Sequence, residues 1–302
     1  MADHTDIMYT PPYEARSLLL PVTTGCSYNR CGFCSMYHDI PFRTVPMAEI
    51  EATLRKAVKR YEDVGWLPDR VFLEHGDPFA LSTDRLIAIA DLIDRYFPDI
   101  ATIGAYTSIH NLKDKSAEDL RRLRDKKYAK LDIGLESAVD DVLRFLNVGY
   151  TIAEAETQLA KLVEADLSFE LNFILGGKGN GKHLESATAA ATIINRYKPI
   201  LVFSGSLHFA EGAPLYAAEQ AGEFKENTVR ELIEEQRALI AGITIPTIYF
   251  GLHVSNPIPL YGKIPQMREK MLARIDRRLN EIEPEILNAS PRRSEREGGI
   301  VV

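Results

Sequence analysis

The chain has only three cysteines in 302 residues, too few and too close together for the disulfide framework of a small secreted domain. No apolar run approaches the roughly 18 residues of a membrane-spanning helix. Residues 1–14 are polar and lack the basic-then-apolar order of a secretory signal. No dense basic stripe is present and the net charge is −7, which disfavours recognition of nucleic-acid backbones. Together these absences lead us to expect a cytoplasmic protein with no membrane anchor. What is present is ordinary for a globular chain. Apolar residues make up 45% and charged residues 26%, enough for one large α/β domain or two small ones.

The three cysteines all fall within nine residues, Cys26, Cys31 and Cys34, spaced C-x4-C-x2-C. Three thiolates in a turn-rich segment can face one soft metal centre. A structural zinc site or an ordinary iron–sulfur cluster takes four protein ligands, and a fourth cysteine does not exist. A cubic four-iron cluster on three cysteines leaves one iron open to an outside ligand, which is a reactive arrangement rather than a structural one. The competing non-enzymatic readings are three incidental cysteines, or a zinc knuckle completed by His38.

Periodicity organises the rest. Six apolar runs of strand length occur at 16–24, 70–73, 102–106, 130–135, 167–175 and 200–207. Pro21 cannot donate to a ladder and belongs at the end or edge of its strand. Helical spacing marks 47–63, 83–96, 140–147, 153–165 and 184–197, with a further helix opened by Ser116. Strands alternating with helices imply a parallel sheet, and right-handed crossovers carry the loops after the strands to one sheet end. Beyond residue 223 come a helix (228–241), a strand-like piece (247–254), an irregular stretch and another helix (267–282). The expected division is an N-terminal segment 1–15, a core 16–222, a short α/β extension 223–285 capping it, and a polar tail 286–302 without fixed structure.

The cysteine spacing, with the aromatic Phe33 before the last cysteine, resembles the signature of the radical S-adenosylmethionine (radical SAM) superfamily. The resemblance extends over about residues 16–216. It implies that the six strands curl into a partial (β/α)6 TIM-like barrel. It also implies a [4Fe–4S] cluster on Cys26, Cys31 and Cys34 whose open iron chelates the amino and carboxylate groups of SAM. Reductive cleavage of SAM would then give methionine and a 5′-deoxyadenosyl radical, with the electron coming from a donor such as flavodoxin or ferredoxin.

Gly76-Asp77-Pro78 is similar to the Gly-Gly-Glu-Pro motif with which the family holds the SAM amino group. His75 stands where the first glycine would be, and Asp77 where the glutamate would be. Taken alone, the tripeptide is also a plain turn. Glu136-Ser137 is similar to a family Glu-Ser or Gln-Ser that suits ribose hydroxyls, and Ser108 and Asn111 are further SAM-contact candidates or simple turn formers. The run Gly176–Gly181 suggests a phosphate cradle but lacks the Gly-Lys-Ser/Thr ending of one. The resemblance instead has Gly176, with Asn172 nearby, passing the adenine. Gly212-Ala213-Pro214-Leu215 is similar to a family Gly-Thr-Pro-Leu, and Phe33 would lie beside the adenine ring.

Glu74, His75, Tyr106, His110, Glu170, Asn172, His208 and Glu211, at or near strand ends, are candidates to line a substrate cavity, with His253 and Asn256 closing it. The expected substrate is a soluble small molecule. Heme or porphyrin handling and RNA modification are the alternatives within the family. No second cysteine set serves an auxiliary cluster and nothing before Arg16 suits cobalamin.

Overall fold

The computed structural model of the chain describes residues 10–65, 67–209, 211–293 and 300–301. Parts of the N-terminal segment 1–15 and of the tail 286–302 therefore lie outside the described residues. In chain order the elements are β1 (Leu18–Pro21), β2 (Thr23–Thr24), β3 (Arg43–Thr44), α1 (Met47–Val64), β4 (Arg70–Glu74), α2 (Thr83–Tyr96), β5 (Thr102–Ser108), α3 (Ile109–Lys113), α4 (Ala117–Asp125) and β6 (Leu131–Glu136). Then follow α5 (Asp140–Phe145), α6 (Ile152–Glu164), β7 (Phe169–Leu175), α7 (His183–Tyr197), β8 (Leu201–Ser206), α8 (Tyr216–Gln220), α9 (Val229–Gly242), β9 (Thr247–Gly251), β10 (Leu260–Ile264), α10 (Arg268–Glu281), α11 (Pro284–Leu287), β11 (Arg292–Arg293) and β12 (Ile300–Val301). The chain divides into two compact units, one of residues 1–29, 36–134 and 157–169, the other of 30–35, 135–156 and 170–302.

In the first unit the strands run β1-β4-β5-β6, each neighbouring pair parallel. β4 is buried along its whole length, as a parallel strand covered on both faces must be. β1 ends at Pro21 at the edge of this run, where a missing N–H costs no ladder bond. Helix α1 is terminated by Gly65, whose left-handed backbone returns its N–H to Tyr61 and Glu62 carbonyls. The Ser82 hydroxyl caps α2 by accepting from the Arg85 N–H, and Leu86, Ile89, Ala90 and Ile93 form its buried stripe. Below the strands, Arg70 reaches Glu14 at 2.8 Å with both side chains almost fully buried, and it donates to Thr102 at 2.6 Å. Removing one partner of such a pair costs about 3–5 kcal/mol.

In the second unit β7, β8 and β9 run parallel, and β10 closes the run antiparallel to β9. Helix α9 begins at a capping box in which Thr228 and Glu231 answer each other's backbone N–H groups. Several short elements were not legible in the pattern, β10 and α3 among them. β10 lies in the stretch read as irregular. Its burial alternates through Leu260, Gly262 and Ile264, but glycine and lysine blur the apolar alternation a strand shows in sequence. α3 is a single capped turn after β5, too short to carry a helical period.

Candidate functional site

In the first unit β4 delivers the turn His75-Gly76-Asp77-Pro78. A Cβ on Gly76 would lie 2.7 Å from the Tyr37 ring and 2.9 Å from the Gly25 carbonyl oxygen. Only glycine lets the cysteine-bearing segment approach this closely. Asp77 is 1% exposed. Its Oδ2 accepts from the Ser27 N–H at 3.1 Å and from the Ser27 hydroxyl, which ties the turn to the residue after Cys26. Its Oδ1 is buried without a hydrogen-bond partner. Burial pushes the Asp77 carboxyl up, and hydrogen bonding from Ser27 and then from the Asn111 side chain opposes the shift. Cys26 is also raised, first by burial, with the Asp77 charge adding to it while the backbone at Asn29 opposes it.

His75 adopts a left-handed backbone at φ 74° and is 2% exposed. Burial lowers its pKa, so the imidazole is neutral near pH 7. Glu74 is fully buried, accepts from Thr10 at 2.8 Å, and is raised by burial. Tyr106 on β5 is strongly raised, first by burial and then by the charges of Asp132 and Glu74. Ser108 and Asn111 form the capping box of α3. Asn111 Oδ1 accepts from the Ser108 N–H at 2.9 Å, and the Asn111 N–H donates to Ser108 Oγ at 3.4 Å. Ser108 thus does turn chemistry, while the Asn111 side chain also acts on the Asp77 carboxyl. His110 stacks on Tyr28 of the cysteine segment, with ring centroids 4.4 Å apart and 15° between planes. Neither Ser27 nor this stack was singled out in the sequence, since a partner fifty residues away leaves no local signal.

In the second unit Cys31, half-buried Phe33 and Cys34 sit on a segment held by backbone bonds. The Gly32 N–H donates to the Leu146 carbonyl at 2.7 Å, and the Gly32 carbonyl accepts from the Leu215 N–H at 2.8 Å. The stretch from Gly212 therefore docks on the cysteine segment through Leu215, while Gly212 itself is exposed. None of the three cysteines is in a disulfide, and each is half-buried. At the end of β6, Glu136 has a left-handed backbone at φ 62°, and buried Ser137 accepts from the Val139 N–H at 3.2 Å.

The glycine loop after β7 is clamped by α9. The Gly176 N–H donates to Glu235 at 2.9 Å. The Gly181 N–H and the Asn180 side chain donate to Glu231 at 2.6 and 2.7 Å. A phosphate would meet two carboxylates already holding those donors, so the loop is not a phosphate cradle. Gly176, at φ 82°, has the left-handed backbone that glycine adopts without steric cost. Glu235 is 2% exposed and is pushed up to about 8 by burial, against the Gly176 hydrogen bond. Glu170 lies buried on β7, Asn172 and His208 are half-buried, and Glu211 and His253 are exposed. Asn256 is committed to structure, since its amide donates to the Ser204 and Gly251 carbonyls at 2.8 and 3.1 Å. His253 Nδ1 lies 2.7 Å from the Ser255 hydroxyl.

A family model described as the radical SAM superfamily matches residues 20–188, more than half of the chain. The chain belongs to the radical SAM superfamily. Members are enzymes that bind a [4Fe–4S] cluster and SAM, and these are its cofactors. Among curated proteins, the heme chaperone HemW of Bacillus subtilis (strain 168) is 27% identical over 124 residues, 40% of this chain and 32% of HemW. The match thus spans about a third of that relative's length. Among solved structures, methylornithine synthase (PylB) aligns with TM-score 0.54 at 17% identity, over 89% of this chain and 82% of that one. The Elp3 of the archaeon Methanocaldococcus infernus, with residues 1–46 deleted, aligns with TM-score 0.54 at 14% identity, over 87% of this chain and 63% of that one. At these identities the likeness shows the fold, an α/β architecture of the partial TIM-like barrel kind. Among the described residues no helix is long and apolar enough to cross a membrane.

Proposed function

We propose that the protein is a radical SAM enzyme that abstracts hydrogen from a soluble small molecule, with Cys26, Cys31 and Cys34 as the cluster ligands. The observation that carries this reading is the Asp77 carboxyl, buried with Oδ1 unpaired and bound through Oδ2 to the residue next to Cys26. An orphaned acceptor in a dry turn suits the N–H groups of a bound amine. Three cysteines outside any disulfide and the side-chain-free approach at Gly76 fit the same pair of cofactors.

When bound, the cluster supplies the electron that splits SAM into methionine and a 5′-deoxyadenosyl radical. The chain's part is binding and exclusion. Asp77 receives the amino group, Ser27 fixes the orientation of Asp77, and the buried walls around β4 keep water from a reactive species. Phe33, Gly176 and Gly212 are assigned to the adenosine end, with Glu136 and Ser137 toward the ribose. Reduced thiols in this arrangement suit a cytosolic location and a flavodoxin- or ferredoxin-type donor.

Dithionite-reduced, iron-reconstituted protein should release 5′-deoxyadenosine from SAM, read by chromatography. Methylthioadenosine in its place would mean that another carbon–sulfur bond breaks. Stoichiometric zinc with no iron-dependent absorbance would sink the reading altogether. The similarity to HemW favours heme or porphyrin handling as a second reading. Titration with heme should then shift the Soret band.

A further inference from the structure

The turn after β4 contains a side chain where the family motif has none. Where the motif has its first glycine, this chain has His75, in a left-handed backbone at φ 74° that glycine adopts freely and an L side chain does not. The ring is 2% exposed, and its Nδ1 is buried without a hydrogen-bond partner among the described residues. Two residues on, Asp77 leaves Oδ1 equally unpaired. Its other oxygen, Oδ2, is held by Ser27. The neighbouring Tyr37 ring, tilted 56° with its centroid 6.3 Å away, gives the imidazole an aromatic wall.

A buried ring nitrogen and a buried carboxylate oxygen, both unanswered within three residues, are costly unless a ligand completes them. With the imidazole neutral, Nδ1 can act as an acceptor with its proton on Nε2. Two acceptors in one turn call for a group carrying several N–H donors. A primary amine is such a group.

We propose that the His75 side chain contacts SAM, its Nδ1 accepting a hydrogen bond from the amino group of the methionine arm beside the Asp77 carboxyl. This rests on the radical SAM reading of the turn and goes beyond it, because a glycine at this position has no side chain to offer. His75 would thus set the hold on the amino-acid end of the cofactor at the expense of backbone ease.

The test uses cluster-loaded protein under anoxia and two unreactive probes, S-adenosylhomocysteine, which keeps the amino-acid arm, and 5′-methylthioadenosine, which lacks it. Equilibrium dialysis should show His75→Gly weakening S-adenosylhomocysteine by about tenfold while 5′-methylthioadenosine changes by less than about twofold. His75→Asn should recover most of the loss, since asparagine tolerates the left-handed backbone and its amide oxygen accepts. The melting temperature of His75→Gly should equal or exceed that of the wild type. Unchanged binding of S-adenosylhomocysteine, an equal loss of both probes, or a lowered melting temperature would overturn the proposal. Wild-type protein that prefers neither probe would instead show that the turn does not hold the amino-acid arm. The underlying site assignment would then fall, and this proposal with it.

Discussion

Two loops at strand ends, one in each unit, each behave opposite to what their sequence suggests. The glycine loop after β7 has the composition of a ligand cradle, yet the donors of Gly176, Gly181 and Asn180 are taken by Glu235 and Glu231. The turn after β4 reads as a plain Gly-Asp-Pro turn, yet it leaves His75 Nδ1 and Asp77 Oδ1 buried and unanswered. Satisfied polar groups fix a scaffold, whereas unsatisfied buried ones mark where a partner belongs. Glycine content is thus a poor guide to a phosphate site here, and hydrogen-bond completion a better one.

The largest effect that would break this contrast is loss of the cofactor itself. A triple Cys26→Ala, Cys31→Ala, Cys34→Ala variant should drop from about four irons per chain to none after anaerobic reconstitution. SAM should then no longer raise its melting temperature.

On the scaffold side, Glu235→Ala leaves the Gly176 N–H unpaired beside a cavity and should cost about 3 kcal/mol in denaturant unfolding. Glu235→Gln keeps shape and acceptor, and it isolates the charge. The Glu235 carboxyl is raised to about 8 in the folded protein. Its share of stability is therefore full below the ordinary carboxylate range and is lost as pH rises toward 8. The glutamine variant should lose less stability than the wild type between pH 5 and 8. An equal slope in both would show that Glu235 titrates normally.

On the ligand side, Asp77→Ala should weaken SAM binding by at least about tenfold without lowering the melting temperature, because the carboxyl removed is desolvated and half-unpaired. A stability loss with intact SAM affinity would place this turn with the scaffold instead. Smallest of all, Ser27→Ala removes one hydroxyl from Asp77 while the Ser27 N–H still donates. SAM affinity should fall by only about fivefold, since a typical net hydrogen bond contributes about 1 kcal/mol.

Local chemistry was enough for much of this protein. Three cysteines at one spacing resembled the radical SAM signature, and the family match over residues 20–188 bears that resemblance out. Apolar runs and capping pairs such as Thr228 with Glu231 set the order of strands and helices, since both rest on residues at most a few positions apart. Folding alone decided the rest. Gly76 against Tyr37, Ser27 on Asp77 and Glu235 on Gly176 each join residues roughly forty to sixty positions apart. No periodicity records such pairs, because burial and hydrogen-bond completion exist only once distant segments pack together.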